Sequence, residues 1–531
     1  PSLILLEGYF QMVNRPRIEY NGHMKQLWHR EREAYLLLAV IVAAAVIRFY
    51  RLGGQSFWTD ELLSIQISAA PPGVSFWKKV LWDVHGPLHS LILHHWRKIS
   101  MAEAWLRTTS VIPGVLGAFL MYRWLVRIRM KDAALACALL FALNPFNLYY
   151  SQELRFYSLL TLLSILSLIV FEWFLDRPSY RRAVMLGLVL ALTCLSHFSG
   201  GFLCLAFLIY LLVTGRFRGR LLRSALLAAC LVLVIISPWI YREIMFLRGI
   251  NVVDISSLSS KEKLRGELTL SSWSYPYILY AFSVGFSFGP DLRELHLITS
   301  AFDIVHRYGF EIVAAMSLFG ALVIAGLVRI TRMGRLPLFA SIIIVTLAAT
   351  TAITMLNIKV FNVRYLTCMF PAFLALVAAG LPSARIPRYA LLGAVCALSL
   401  ISDWNYHHVG RYARDDVKGA VAIITEFEVE GDVILAPTVR HTVAYYYSGQ
   451  NEVAFFIPKL LGEDEIRERI RWYFEGGGGR VWYLRCRHWD IDPEDVLPGV
   501  LDSEGRLLAQ WERPGIVILL YALRVMPDGG G

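Results

Sequence analysis

Two adjacent carboxylates, Asp60 and Glu61, close the run RFYRLGGQSFWTDE at residues 48–61, just beyond the first apolar stretch of the chain. Acidic side chains beside a membrane span are costly to desolvate, so in that setting they mark a candidate functional site. A carboxylate there suits general-base chemistry, the removal of a proton from an attacking hydroxyl. Thr59 and Asp60 are also helix-capping residue types, and ELLSIQIS after them reads as a helix start. The plain alternative is therefore a helix cap at the membrane surface. Neighbouring helical residues point about 100° apart. If a site exists, one carboxylate is the base and the other positions the substrate or a neighbour.

Other polar residues recur at the edges of apolar runs. Asp83-Val84-His85-Gly86-Pro87-Leu88 precedes a short helical stretch, with Pro87 suited to a first turn. His85 and His89 stand at i, i+4 spacing, which a metal could use, but no third ligand is evident; histidines at a polar interface are the simpler reading. Arg107, near the start of a later span, either snorkels or pairs with an acid such as Glu61. NPFNLYYSQELRFY (144–157) fills a turn with Glu153 and Arg155, read equally well as a salt-bridged turn with Tyr anchors. His197 lies at another turn. Lys359, Arg364 and Tyr365 sit together in KVFNVRY, where a guanidinium can grip a phosphate bidentately or simply anchor the interface.

These residues need a scaffold, and the composition says which. Of 531 residues, 56% are hydrophobic and only 18% charged, and apolar runs of spanning length recur throughout. The chain reads as an α-helical polytopic membrane protein. Its net charge of +11 comes from Arg clusters between apolar runs, so it carries no nucleic-acid signal. The seven cysteines form no disulfide or zinc pattern. The first residues lack a basic segment and a small-residue cleavage site, so no signal peptide is expected.

About eleven spans are expected, near 34–50, 104–126, 133–149, 156–175, 183–198, 200–214, 221–240, 309–328, 337–356, 365–381 and 387–403. His197, Ser199, Gly200 and Gly201 mark the turn between two nearly continuous runs. The stretch 86–100 is short and interrupted by His89, His94, His95, Arg97 and Lys98, so it is expected to lie in the interface as an amphipathic helix. With it on the surface and the N-terminal segment 1–33 cytoplasmic, the Arg clusters collect on the inner side. The first loop (51–103), a long aromatic-rich loop (241–308) and the region 404–531 then share the outer side. That last region is expected to be a small soluble α/β domain. Helices are expected near 411–428 and 462–474, and strands at 432–436, 480–484 and 516–523. Gly476–Gly479 follow a helix and precede a strand, the reverse of a phosphate loop, and read as a turn.

Taken in order, RLGGQSFWTDELLS, HGPLHSLILHHW, Arg107, NPFNLYYSQELRFY and FNVRYLTCMFPAF resemble the GT-C class of polyprenyl-phosphate-sugar-dependent glycosyltransferases. The nearest likeness is to protein O-mannosyltransferases and the aminoarabinose transferases of lipid A, over roughly residues 34–403. The resemblance implies a GT-C transmembrane catalytic domain in that range. It implies Asp60 as general base and Glu61 as a second catalytic-site acid that organises acceptor or site. Arg364 becomes the ligand of the lipid phosphate, with His85, Lys359 and Tyr365 near it, and Arg107, Glu153, Arg155 and His197 further site candidates. Relatives often show Pro-Pro-Leu where this chain has Gly86-Pro87-Leu88. FSVGFSFGPDLRELH (282–296) also looks like a segment of bacterial members, without an assigned role.

The implied partners are a polyprenyl-phosphate-linked sugar, an extracytoplasmic acceptor (protein, lipid or glycan) and the bilayer, with no nucleic acid. No cofactor is called for, and a divalent metal is a minor alternative. A base beside the acceptor hydroxyl and a cation beside the departing phosphate are sufficient for direct displacement with inversion. The competing reading is a transporter or flippase of lipid-linked glycans. It predicts polar residues near the middle of several spans, which here are almost wholly apolar.

Overall fold

The computed structural model describes residues 31–71, 73–82, 85–250, 270–298, 300–356, 358, 360–474 and 479–523; Asp83, Lys359 and most of the glycine run 476–479 lie outside them. A first helix, α1, covers residues 31–49. Three short helices follow in the first loop: α2 (Thr59–Ser68), α3 (Val74–Trp82) and α4 (Pro87–Trp96). The expected interfacial helix is thus α4, with Pro87 at its first turn, and α3 joins it.

The helices α5 (Glu103–Arg127), α6 (Lys131–Leu143), α7 (Pro145–Ser151), α8 (Tyr157–Asp176), α9 (Tyr180–Ser196), α10 (Gly200–Val213) and α11 (Gly219–Ile250) come next. After them lie α12 (Ser274–Val284), the single turn α13 (Glu294–Leu297), α14 (Ala301–Arg332) and α15 (Leu336–Met355). A 3₁₀ turn at Val363–Met369 runs into α16 (Phe370–Gly380), and α17 spans Arg385–His408. A helix thus stands at each of the eleven expected positions. Among the described residues seven helices are long and apolar enough to cross a membrane, or eight if α6 and α7, bent by 54°, are one broken span. Proline at 145 cannot continue the hydrogen-bond ladder, and the Asn144 side chain restarts it by accepting the Asn147 N–H at 3.0 Å. Bulky apolar side chains such as Val234, Phe310 and Ile386 face outward, as lipid contact requires.

The stretch 241–308 is more helical than a loop reading suggests, because α11 runs on to Ile250 and α14 already begins at Ala301. At one end of the bundle, basic residues from the expected inner clusters meet acids. Arg329 chelates Asp132 at 2.8 and 2.7 Å, Arg335 grips Glu172 at 2.8 and 2.7 Å, and Arg127 pairs with Asp176.

Beyond α17 the chain forms a five-stranded sheet of order β2-β1-β3-β5-β4, comprising β1 (Val433–Leu435), β2 (Glu452–Ala454), β3 (Arg480–Cys486), β4 (Gly505–Arg513) and β5 (Ile516–Leu523). Strand β1 is parallel to β2 and β3, while β5 is antiparallel to β3 and β4. The three expected strands are present; β2 and β4, short or largely exposed, had no clear apolar signature. Alternate residues serve two faces. Ile434, Trp482 and Leu484 pack with the helix Val417–Phe427, and Val433, Val481 and Tyr483 pack with the helices Glu463–Phe474 and Val496–Glu504.

Gly86 shows why this chain departs from a proline-proline motif. Its φ of −66° and ψ of 153° suit any residue, proline included. The space does not, because an added Cβ would lie 2.0 Å from the Leu195 carbonyl oxygen. Only a residue without Cβ lets α4 press against the end of α9. Replacing Gly86 by Ala is expected to lower the melting temperature of the detergent-purified protein, by a loss of about 1–3 kcal/mol, typical of overpacking. An unaltered melting temperature would contradict this packing.

Candidate active site

The first turn of α2 sends its two acids in different directions. The N-cap position belongs to Trp58, not to Thr59 or Asp60, so Asp60 is not spent on capping. Glu61 points inward and is fully buried. Its oxygens accept from Arg107 Nε at 2.9 Å and Nη2 at 3.0 Å, from the Leu154 N–H at 2.8 Å, from the Trp58 N–H at 3.2 Å and from Arg414 Nη1 at 3.1 Å. Burial pushes the Glu61 carboxyl up, but the Arg107 and Arg414 guanidiniums and these hydrogen bonds outweigh it and hold it below the usual range. Such a group organises; it does not take protons from a substrate.

Arg107 is equally committed. Besides Glu61 it donates to the carbonyls of Leu52 at 2.9 Å, Gln55 at 2.9 Å and Ser56 at 3.2 Å, so every guanidinium N–H is used. It ties the loop 52–61 to α5 and has nothing left for a ligand.

The turn after α7 locks the same loop from the other side. Gln152 donates to the carbonyls of Arg48 and Tyr50 at 2.9 and 2.8 Å, and Arg155 Nη1 to the Asp60 carbonyl at 3.0 Å and Ser64 Oγ at 2.9 Å. Arg48, buried at the end of α1, donates to the carbonyls of Ala142 and Phe141 and to Ser151 Oγ. Arg155 is thus a structural group whose work is to hold the Asp60 backbone. Glu153 differs: it is 1% exposed and neither carboxylate oxygen has a hydrogen-bond partner among the described residues. Burial pushes its pKa up to about 7 against the pull of Arg414, with the Glu61 charge adding to the rise.

Asp60 faces the remaining wall. Its Oδ2 lies 3.6 Å from Arg364 Nη1, with 31% of the Asp60 side chain and 23% of the Arg364 side chain exposed. The two side chains are therefore adjacent and reachable. Asn362 Oδ1 accepts the Arg364 N–H, and Thr367 Oγ1 donates to the Arg364 carbonyl, fixing the 3₁₀ turn that carries it. The guanidinium lies over the rings of Tyr157 at 5.7 Å and Tyr365 at 5.8 Å. His197 stacks on Tyr365 at 5.7 Å and on Phe156 at 4.9 Å, and its Nδ1 is 2.8 Å from Ser199 Oγ. His85 lies 5.7 Å from His197 and 4.6 Å from Phe156. Contacts thus link residues of the segments 85, 153–157, 197 and 364–365 into one aromatic and cationic cluster beside Asp60. His89 is buried beneath it; burial and the Arg155 charge lower its pKa to about 3 and keep it neutral. Among the described residues no three His, Cys, Asp or Glu side chains gather as metal ligands do.

Sequence reasoning missed Arg48, Gln152, Tyr157 and Arg414. Arg48 stood inside a quoted motif, and Gln152 and Tyr157 inside another. Arg414 carried no signal, since nothing in RYARDD reveals a long-range contact with residue 61.

The chain's architecture matches that of solved membrane glycosyltransferases. It superposes on ArnT from Cupriavidus metallidurans bound to undecaprenyl phosphate with a TM-score of 0.55, at 13% identity, over 91% of this chain and 97% of that one. It also superposes on the Archaeoglobus fulgidus oligosaccharyltransferase AglB, in complex with an inhibitory peptide and a dolichol-phosphate. There the TM-score is 0.50, at 14% identity, over 93% of this chain and 75% of that one. The protein therefore has the GT-C glycosyltransferase fold, as the motif resemblance implied. Within that class, residues 84–241 match the family described as Dolichyl-phosphate-mannose-protein mannosyltransferase. No curated protein matches the chain by sequence.

The Glu153 carboxyl supplies a pH test of this geometry. Its folded-state pKa of about 7 lies above the ordinary 4.5. Folding therefore takes up a proton, and the associated stability is complete below about pH 4.5 and lost as pH rises through 7, by roughly 3 kcal/mol. Glu153→Gln is neutral throughout, so its melting temperature should gain on that of the parent between pH 5 and pH 8. A pH-independent difference would exclude a buried carboxyl of this kind.

Proposed function

We propose that this protein is an inverting glycosyltransferase that moves a sugar from a polyprenyl-phosphate donor to an extracytoplasmic acceptor. The observation that carries the reading is the 3.6 Å approach of Asp60 to Arg364, side chains brought together from opposite ends of the helical domain where both keep some exposure to solvent. The polyprenyl phosphates bound to ArnT and AglB agree with such a donor.

A lipid-linked sugar presents its phosphate at headgroup depth. Arg364 is the group to receive it, exchanging the Asp60 carboxylate for phosphate oxygens; the His85, His197 and Tyr365 rings line the approach. Freed of its partner, Asp60 accepts the proton of the acceptor hydroxyl while that oxygen attacks the anomeric carbon. The bond from carbon to phosphate oxygen breaks, and the charge left on the polyprenyl phosphate meets Arg364. One accessible carboxylate and one cation give single displacement, hence inversion. The donor sugar is a hexose or pentose. In this reading eleven helices cross the bilayer, the N-terminus is cytoplasmic and the sheet domain lies outside.

The transporter reading calls for polar groups midway through the spans. The buried charges Arg48, Arg107, Glu172 and Asp403 instead lie near helix ends, which favours chemistry at one surface.

The test compares envelope glycans and glycoproteins, by mass analysis, from cells with and without the protein and with variants. Asp60→Asn should reach the membrane and bind undecaprenyl phosphate, yet lose product formation by about 10²–10⁴-fold, the usual worth of a general base. Arg364→Ala should weaken undecaprenyl phosphate binding as well as product formation. Full product formation by Asp60→Asn would refute the assignment.

A further inference from the structure

We infer that Arg414, from the segment joining α17 to the sheet domain, is a positioning residue of the reaction centre, through which that domain sets the orientation of Asp60. The inference rests on the reading of Asp60 as the base.

Four consecutive residues lead into α2, and each is held by a residue from beyond α17. Gln55 Oε1 accepts the Arg414 N–H at 3.2 Å. Ser56 Oγ donates to Asp416 Oδ1 at 3.2 Å and accepts the Lys418 N–H at 3.0 Å. The Phe57 N–H donates to Tyr446 Oη at 2.8 Å, and the Arg487 guanidinium lies 5.7 Å from the Trp58 ring. Then comes Glu61, which receives Arg414 Nη1. The sheet domain is built into the catalytic loop and does not merely hang beside it.

Arg414 is the deepest of these contacts, and its burial is not explained by stability. Its side chain is 7% exposed and lies over the Tyr149 ring at 5.0 Å. Its Nε and Nη2 are buried without hydrogen-bond partners among the described residues. A buried guanidinium with donors unused costs desolvation that one contact to Glu61 offsets only in part. Glu61 does not need the contact for neutrality, since Arg107 already holds both its oxygens. What Arg414 adds is a second direction of pull. Arg107 and the Leu154 N–H hold Glu61 from the membrane side and the α7 turn; Arg414 holds it from the sheet domain. Rotation of the first turn of α2 is thereby fixed, and with it the heading of Asp60, one residue earlier, towards Arg364. Misplacement of a reacting group by about 1 Å costs on the order of 10²-fold in rate.

The experiment uses the full-length protein carrying Arg414→Met or Arg414→Lys, with Arg471→Ala as a control. Arg471 pairs with Glu504 within the sheet domain and takes no part in the contacts to residues 55–61 described above. Three readings are taken: melting temperature in detergent, affinity for undecaprenyl phosphate, and rate of envelope-glycan formation in cells per amount of protein. Arg414→Met should keep its melting temperature and bind undecaprenyl phosphate within about threefold of the parent, while product formation falls about ten- to hundredfold. Arg414→Lys should recover part of the rate, and Arg471→Ala should match the parent. The inference is overturned if Arg414→Met works within twofold of the parent, or if rate falls only in step with melting temperature in both Arg414 variants. Asp60→Asn separates the two levels: if it stays active the assignment of the base fails, whereas if it is inactive and Arg414→Met is unimpaired only the role of Arg414 falls.

Discussion

The buried pair of Glu61 and Arg107 is the constraint on which the reaction centre depends. A fully desolvated carboxylate is tolerable only with several strong donors, and here two guanidiniums and two backbone N–H groups supply them. Each donor comes from a different part of the chain: α5, the segment after α17, the turn before α8 and the loop itself. Satisfying one charge therefore assembles four segments. Removing Arg107, which grips both carboxylate oxygens, would leave Glu61 buried and undercompensated, which is why such a cluster has few alternative arrangements.

Asp60 benefits from that rigidity without sharing it. Its backbone carbonyl is held by Arg155 while its carboxylate stays partly in solvent beside Arg364. This partly exposed ion pair contributes little to stability by itself. That weakness suits the proposed chemistry, in which the guanidinium changes partners when a phosphate arrives. The rings of Tyr157 and Tyr365 lie beside the guanidinium, and His197 stacks on Tyr365 and Phe156.

The far end of the bundle repeats the principle in simpler form. Asp132, Glu172 and Asp176 each meet an arginine across helices, tying the helix ends there together. The segment 282–296, singled out in the sequence without a role, acts as a buttress on the reactive side. The Asn144 and Asn405 side chains donate to the Phe282 and Ser287 carbonyls, and Arg411 and Tyr412 both reach the Gly289 carbonyl. It thus braces the α7 turn and the start of the sheet domain together.

The sequence by itself determined the membrane class, the positions of the eleven apolar helices, the short helix α4 and three of the five strands, because hydrophobic periodicity is a local property. It also marked Asp60 and Arg364, since acids and cations at span edges stand out against an apolar background. It did not determine which acid of the pair is available. Asp60 and Glu61 are alike in chemistry and differ only in the side of α2 they occupy, and that side is set by Arg107, Leu154 and Arg414, up to 353 residues away. The partnership of Asp60 with Arg364, the need for glycine at 86 and the intrusion of the sheet domain were likewise decided by tertiary structure. Each depends on segments remote in sequence approaching within a few ångströms, a distance that no local pattern encodes.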